Sequence, residues 1–340
     1  VTTTAESTTT TSQDETTRMT MAVAMNSALD LALDGDEKVI LLGEDIADPA
    51  GGVLKVTRGL SSKYGTGRVR ATPISETAII GTAIGAALAG YRPVAEIMFM
   101  DFMGVCLDQI TNHAAKLRYM SGGHSTIPIT IRTTVGEQRF GAQHSQSLEA
   151  WFMHTPGIKV VMPSTAIEAK GLLASCVADD DPCLFIENVR LAFSQKQEVP
   201  VGDYRIPLGE ADVKRPGADL SVITYGPAVH TALATAETLA DEGIDLEVVD
   251  LRTLIPLDMA SVMDSVAKTR KAIVLHDATT FCGPGAEIAA RITEELFGKL
   301  DAPVKRLGAG YHPAPYAPSG LSYLPTSDEL ADTARELLGY

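Results

Sequence analysis

The sequence predicts an α/β protein built on a parallel sheet, followed by a smaller C-terminal α/β domain. Three observations carry that expectation. Short, wholly apolar stretches alternate with helix-length amphipathic ones along most of the chain. One polar segment with several Pro and Gly interrupts the alternation near residue 200. The length of 340 residues exceeds one ordinary core and favours two domains.

The chain opens with VTTTAESTTTTSQDETT, a Thr-rich tail with acidic rather than basic charges. It lacks the basic start and apolar centre of a signal peptide and the Arg content of a transit peptide. Residues 1–18 are expected to be disordered, with order beginning near Met19. The spacing of Met21, Val23, Ala24, Ser27, Ala28 and Leu31 predicts a helix. KVILLGED is a short apolar strand ending in acids, and RVRATPIS a second strand leading into the small-residue helix ETAIIGTAIGAALAG. RPVAEIMF is a third strand, and GVCLDQITNHAAKLRYM an amphipathic helix. TIPITIRTTVG is a fourth strand, and the loop GEQRFGAQHSQ comes after it. KVVMPS, the helix AIEAKGLLASCVADD and CLFIEN complete a first domain over residues 19–193.

Residues 194–218 read as a linker with a short β excursion. A second βα series fills residues 219–340: LSVITYG, AVHTALATAETLADEG, LEVVDL, a helix around MASVMDSVAKT, AIVLHD, GAEIAARITEEL and PVKRLGA.

Apolar residues make up 45% and charged ones 21%, the balance of a soluble globular protein. A net charge of −15 without a local basic patch argues against nucleic-acid and anionic-membrane partners, which need clustered Lys and Arg. No apolar run approaches the ~18 residues of a membrane span. Cys106, Cys176, Cys183 and Cys282 show no C-x-x-C spacing and read as buried free thiols. Cysteine usage and charge together suit a cytoplasmic protein.

Ligands in open parallel sheets sit at the carboxyl ends of strands. Four such ends carry polar or aromatic residues: Gly43-Glu44-Asp45, Ser75-Glu76, Asp101-Phe102 and Gln143-His144-Ser145. Each has a bland reading. Glu44 and Asp45 serve as loop acids or an N-cap, Glu76 complements a helix dipole, and His144 and Phe102 belong to loop or core. Their convergence on one sheet edge favours a site. Glu76 draws the eye because it is the sole charged side chain between Arg70 and Arg92. An unpaired buried carboxylate is costly or takes up a proton. Motifs for a P-loop, zinc and a hydrolase elbow are missing, and GPGAE at residues 283–287 carries Ile288 where a dinucleotide fingerprint needs its third Gly.

LLGED, RGLSSKYG, TPISE, GAALAGYRPVAE, DQITNHAAKLRYMSGG, GAQHSQSLEAW and PGIKVVMPS, in that order, resemble the β subunit of thiamine-diphosphate-dependent 2-oxo-acid dehydrogenase E1 components. Pyruvate, branched-chain 2-oxo-acid and acetoin dehydrogenases share the pattern. It runs from about Met19 to Glu187 and resumes at VVDLRTLIPLD and GAEIAARI. The resemblance implies a pyrimidine-binding domain of transketolase type and a transketolase-like C-terminal domain. It implies that Glu76 hydrogen-bonds N1′ of the aminopyrimidine and so favours the imino form at the 4′ nitrogen. Phe102 would stack on that ring, and Ile74 would line its pocket. Glu44 would join a chain of acids and water between two active sites. His144 would face the substrate adduct, handling protons or engaging a lipoyl group.

The Gly-Asp-Gly…Asn motif for diphosphate and Mg²⁺ belongs to a separate α subunit in this family, and LDGDEK here lacks the downstream Asn. The resemblance therefore implies thiamine diphosphate shared with an α partner, Mg²⁺ held mainly by that partner, and an α₂β₂ heterotetramer. A lipoyl-bearing E2 is the implied acceptor. Backbone carbonyls around residues 126–185 are the place where some relatives hold potassium. GAEIAARI is a candidate subunit contact, with plain intradomain packing as its equal.

Three stretches depart from the pattern: Glu137, Gln138, Arg139 and Phe140 before QHSQ, IENVRLAF after the last strand, and YHPAPYAPSGLSYLPT near the C-terminus. They leave open the substrate and the acceptor. Two other readings stand beside the dehydrogenase: a carboligase that needs no lipoyl protein, and a non-catalytic scaffold subunit, against which Glu76, Phe102 and His144 together speak.

Overall fold

The computed structural model of the chain describes residues 15–136, 140–316 and 323–340. Strand β1 (Thr16–Met19) comes first, followed by β2 (Val39–Gly43), β3 (Val69–Ala71), β4 (Arg92–Ile97), β5 (Thr130–Val135), β6 (Lys159–Val161) and β7 (Cys183–Asn188). β8 (Gln197–Pro200) pairs antiparallel with β1. The later strands are β9 (Asp212–Arg215), β10 (Leu220–Thr224), β11 (Leu246–Asp250), β12 (Thr253–Ile255), β13 (Ala272–Thr279) and β14 (Lys305–Ala309). The larger sheet has the order β12-β6-β7-β5-β4-β2-β3, and the smaller one β14-β13-β10-β11-β9.

Both faces of the larger sheet are covered, and its central strands are almost wholly buried. Successive side chains on a strand point to opposite faces. Val39 and Leu41 of β2 accordingly join Met25, Leu29 and Leu172 from helices Met21–Gly35 and Ala166–Ala178. Ile40 and Leu42 join Ile80 and Ile84 of helix Glu76–Leu88 on the other face. That second cluster continues into Tyr225, Leu251 and Leu254 of the C-terminal domain, so one apolar core runs through both. Each fully buried aliphatic side chain there contributes about 1.5–3 kcal/mol.

β3 and β4 flank β2 on opposite sides, so the chain reverses its direction of travel across the sheet between them. Such a switch point leaves a crevice beyond the strand ends.

Several local expectations gave way. Thr16–Met19 form β1, held by β8, whereas the tail was expected to run to residue 18. The polar TTRM exposes three of its four residues and carries no apolar period to announce a strand; residues 1–14 lie outside the described residues. The segment 194–218 supplies β8 and β9, each paired in a sheet. β12 crosses from the second domain to pair antiparallel with β6, and its three residues are too few to show a pattern. GVCLDQITNHAAKLRYM contains a π-helical turn at Gln109–Ala114 before the α-helix Ala115–Met120. Helix Glu76–Leu88 buries Ile79, Ile80, Ala83, Ile84 and Ala87, but its other face leaves Ala78, Gly81, Thr82 and Gly85 exposed. Three cysteines are buried as expected; Cys282, in the turn after β13, is exposed. Among the described residues no helix is long and apolar enough to cross a membrane.

A buried polar knot joins the domains. The Ser164 hydroxyl, just past β6, lies 2.9 Å from Glu168 Oε2 and 2.5 Å from Asp250 Oδ2 at the end of β11. Lys214 of β9 pairs with Glu168, which also caps its own helix through Thr165. One hydroxyl proton cannot serve two carboxylates, so a carboxyl group must hold another. Asp250 is that group: burial, and then the Glu168 charge, push it up to about 8.

A buried acid with a raised pKa binds its proton more tightly when folded, so the folded state loses stability as pH rises from the ordinary carboxylate range toward 8. Asp250→Asn is therefore expected to flatten the loss of stability between pH 5 and 8.5. Urea unfolding across that range measures it; an unchanged pH slope would count against a protonated Asp250.

Candidate active site

The carboxyl ends of β2, β4 and β5 and the start of helix Glu76–Leu88 meet at the switch point. Gly43 ends β2 because a Cβ there would come within 3.0 Å of Glu96 and of Ile46. Glu44 comes immediately after it and is buried. The Thr72 amide donates to the Gly43 carbonyl at 2.9 Å, drawing the segment that leads to Glu76 against the end of β2. Glu76 is the first residue of its helix. Among the described residues its carboxyl accepts no hydrogen bond and forms no ion pair.

The Glu44 carboxyl is pushed above the ordinary glutamate range, by burial first and then by Glu76, Asp45 and Glu96. All four causes act in one direction. Among the described residues neither Glu44 nor Glu76 forms an ion pair.

Beneath them lies an ion-pair bridge that the sequence reading missed. Arg132 of β5, 2% exposed, reaches Glu96 Oε2 of β4 at 2.7 Å and Glu187 Oε1 of β7 at 2.5 Å. Glu96 and Arg132 are register partners on adjacent strands. Burial drives Glu187 up to about 7, against the pull of Arg132, with Glu96 adding to the rise. A single charged residue in each of VAEIMF, ITIRTT and CLFIEN was the available signal.

Phe102 lies in a 3-10 turn, Met100–Gly104, directly after β4. Thr77 Oγ1 donates to the Val105 carbonyl at 2.9 Å and ties this turn to the helix that begins with Glu76. His144, on the loop after β5, stands edge-on to two rings: Phe99 at 5.1 Å and Phe102 at 5.2 Å. Phe140 packs against the far side of Phe99 at 5.8 Å. Arg139, singled out with it, lies outside the described residues. Offset and edge-on ring pairs contribute about 0.5–1.5 kcal/mol beyond burial.

Several contacts seat the His144 loop. The loop backbone crosses so close to β5 that a Cβ on Gly136 would fall 1.9 Å from the His144 carbonyl oxygen. Gln146 donates to Asp101 Oδ1 from its side chain at 2.7 Å and from its backbone at 3.3 Å. Leu148 N–H approaches Met100 Sδ at 3.4 Å. Beyond Gln146 the loop opens onto an interdomain cleft of about 880 Å³, lined among others by Trp151, Phe281, Tyr311 and Tyr323.

The structure thus brings Glu44 beside Glu76 and Phe102 beside His144, with Thr77 and Val105 linking the two pairs. Ile74 is 82% exposed.

Residues 17–193 match the family described as transketolase, pyrimidine binding domain, and residues 209–329 the transketolase C-terminal domain. The acetoin:2,6-dichlorophenolindophenol oxidoreductase subunit beta of Cupriavidus necator is 46% identical, covering 94% of this chain and 98% of the relative. The 2-oxoisovalerate dehydrogenase subunit beta of Bacillus subtilis is 45% identical over 92% of this chain and 97% of its own. The pyruvate dehydrogenase E1 component subunit beta of the same organism is 43% identical over 95% and 99%. A split gene transketolase, solved as an inactive β4 tetramer, shares the fold with a TM-score of 0.77 at 21% identity, covering 94% of this chain and 98% of that one.

Gly136→Ala must displace the His144 carbonyl or the strand. The expected cost is on the order of 1–3 kcal/mol, as for other overpacked sites, read by urea denaturation. Unchanged stability would mean the loop yields freely.

Proposed function

The chain belongs to the E1 β-subunit family of the thiamine-dependent 2-oxo-acid and acetoin dehydrogenases, and we propose that it works as the pyrimidine-binding half of a site completed by an α subunit. The complex breaks the carbon–carbon bond beside a carbonyl in a 2-oxo acid or acyloin and passes the acyl unit to a lipoyl acceptor. The observation that carries this reading is the pair Glu44 and Glu76 at a switch point, where burial and then the charge of Glu76 raise the pKa of Glu44.

The residues fit an aminopyrimidine ring. Glu76 offers a carboxyl group with no partner among the described residues, as a proton-sharing contact to a ring nitrogen requires. Its neighbour Glu44 keeps a proton to higher pH than an exposed glutamate. Phe102 stands on the turn that Thr77 ties to the helix beginning with Glu76. The chemistry that thiamine diphosphate supplies when bound is an electron sink for the breaking bond. This chain's part is to fix the ring through Glu76 and Phe102, to hold a proton on the acid pair, and to present His144 to the acyl acceptor.

An 82% exposed isoleucine next to Glu76 supports a surface finished by another subunit. Diphosphate and Mg²⁺ are assigned to that α partner, and the assembly to α₂β₂.

Glu76→Gln keeps shape but removes the shareable proton, and turnover of the α–β complex should fall by orders of magnitude. Undiminished cleavage of the 2-oxo acid would take Glu76 out of the mechanism. Calorimetric titration of the chain alone with thiamine diphosphate and Mg²⁺ should show weak or no binding; tight binding would contradict the half-site. His144→Ala should slow acyl transfer more than it weakens cofactor binding, and the reverse would reassign that residue.

A further inference from the structure

We infer that Asp101 is a positioning residue for His144, acting through Gln146. The inference rests on the reading of His144 as the group that meets the acyl acceptor, and it adds a residue to which neither motif nor resemblance gave a role.

Asp101 sits one residue before Phe102 in the 3-10 turn after β4, and Gln146 two residues after His144. The side-chain amide of Gln146 donates to Asp101 Oδ1 at 2.7 Å, and its backbone N–H reaches the same oxygen at 3.3 Å. One carboxylate oxygen therefore fixes both the main chain and the side chain of a single residue. The turn that aims Phe102 and the loop that carries His144 become one body, so the two rings keep their 5.2 Å edge-on contact.

The neighbouring contacts leave this clamp a distinct task. Close approach at Gly136 fixes the carbonyl of His144, and the Leu148 amide rests on Met100 Sδ, a weak acceptor. Between these two points Gln146 ties the loop to the Phe102 turn by a charge-assisted hydrogen bond, which is roughly twice as strong as a neutral one. The second oxygen of Asp101 is buried without a partner among the described residues. An unsatisfied buried acceptor is costly, so the arrangement serves the geometry of the loop at the expense of that oxygen.

The test uses the α–β complex with three variants, Asp101→Ala, Asp101→Asn and Gln146→Ala. Hydrogen–deuterium exchange of the peptide spanning residues 141–148 reads the clamp directly. Exchange there should rise at least tenfold in Asp101→Ala and Gln146→Ala, and stay near wild type in Asp101→Asn, which keeps an acceptor oxygen. Kinetically, transfer to a lipoylated acceptor should fall at least tenfold more than reduction of 2,6-dichlorophenolindophenol. The Asp101→Ala/Gln146→Ala double variant should be no worse than either single change.

Equal slowing of both reactions, additive losses in the double variant, or unchanged exchange in Asp101→Ala would each overturn the assignment. If His144→Ala itself leaves acyl transfer intact, the underlying reading of His144 fails instead. The exchange result still decides whether Asp101 seats the loop.

Discussion

Arg132 is the constraint on which the site depends. It is a guanidinium buried at the centre of a seven-stranded sheet, where an unpaired charge would be intolerable. Glu96 and Glu187 on the flanking strands compensate it, and because the three lie on β4, β5 and β7 the pairing also locks their register. Replacing such a bridge with apolar side chains often stabilises a protein. Its value here is electrostatic. The positive charge is consumed below the strand ends, and among the described residues neither Glu44 nor Glu76 above forms an ion pair. Glu44 is left with four influences that all favour its protonated form.

The second domain takes part in holding that site still. A common apolar core and the Ser164, Glu168, Asp250 and Lys214 knot join it to the first, and it frames the cleft beside the His144 loop. The knot and the site share a physical device. In each, acids are gathered close together, and a carboxyl group, Asp250 in the knot and Glu44 at the site, has its pKa raised by burial and by a neighbouring acid.

Much of this was legible in the sequence. Strands such as VILLG and the CLFI of CLFIEN are buried on both faces, and their apolar runs say so. The residues just past the strand ends single out Glu44, Glu76, Phe102 and His144 as a group. The parts that escaped have physical reasons. β1, β8 and β12 are three or four residues long, and their pairing depends on distant chain rather than local pattern. The Arg132 bridge joins residues tens of positions apart, each of which alone looks like a stray charge in a strand. The Asp101–Gln146 contact links one strand end to another and has no periodicity. Gly136 is demanded by a backbone crossing visible only in three dimensions. Resemblance to known E1 subunits gave roles to the residues but did not reveal what seats them.

The crossing of β12 has a consequence for how this polypeptide can be divided. A fragment ending at residue 193 would take with it neither β8 nor β12, so β1 would lose its mate and β6 would become a raw margin of the sheet. Naked margins of that kind recruit other chains. The first domain thus needs strands from beyond residue 193 to close both its small ribbon and one edge of its sheet.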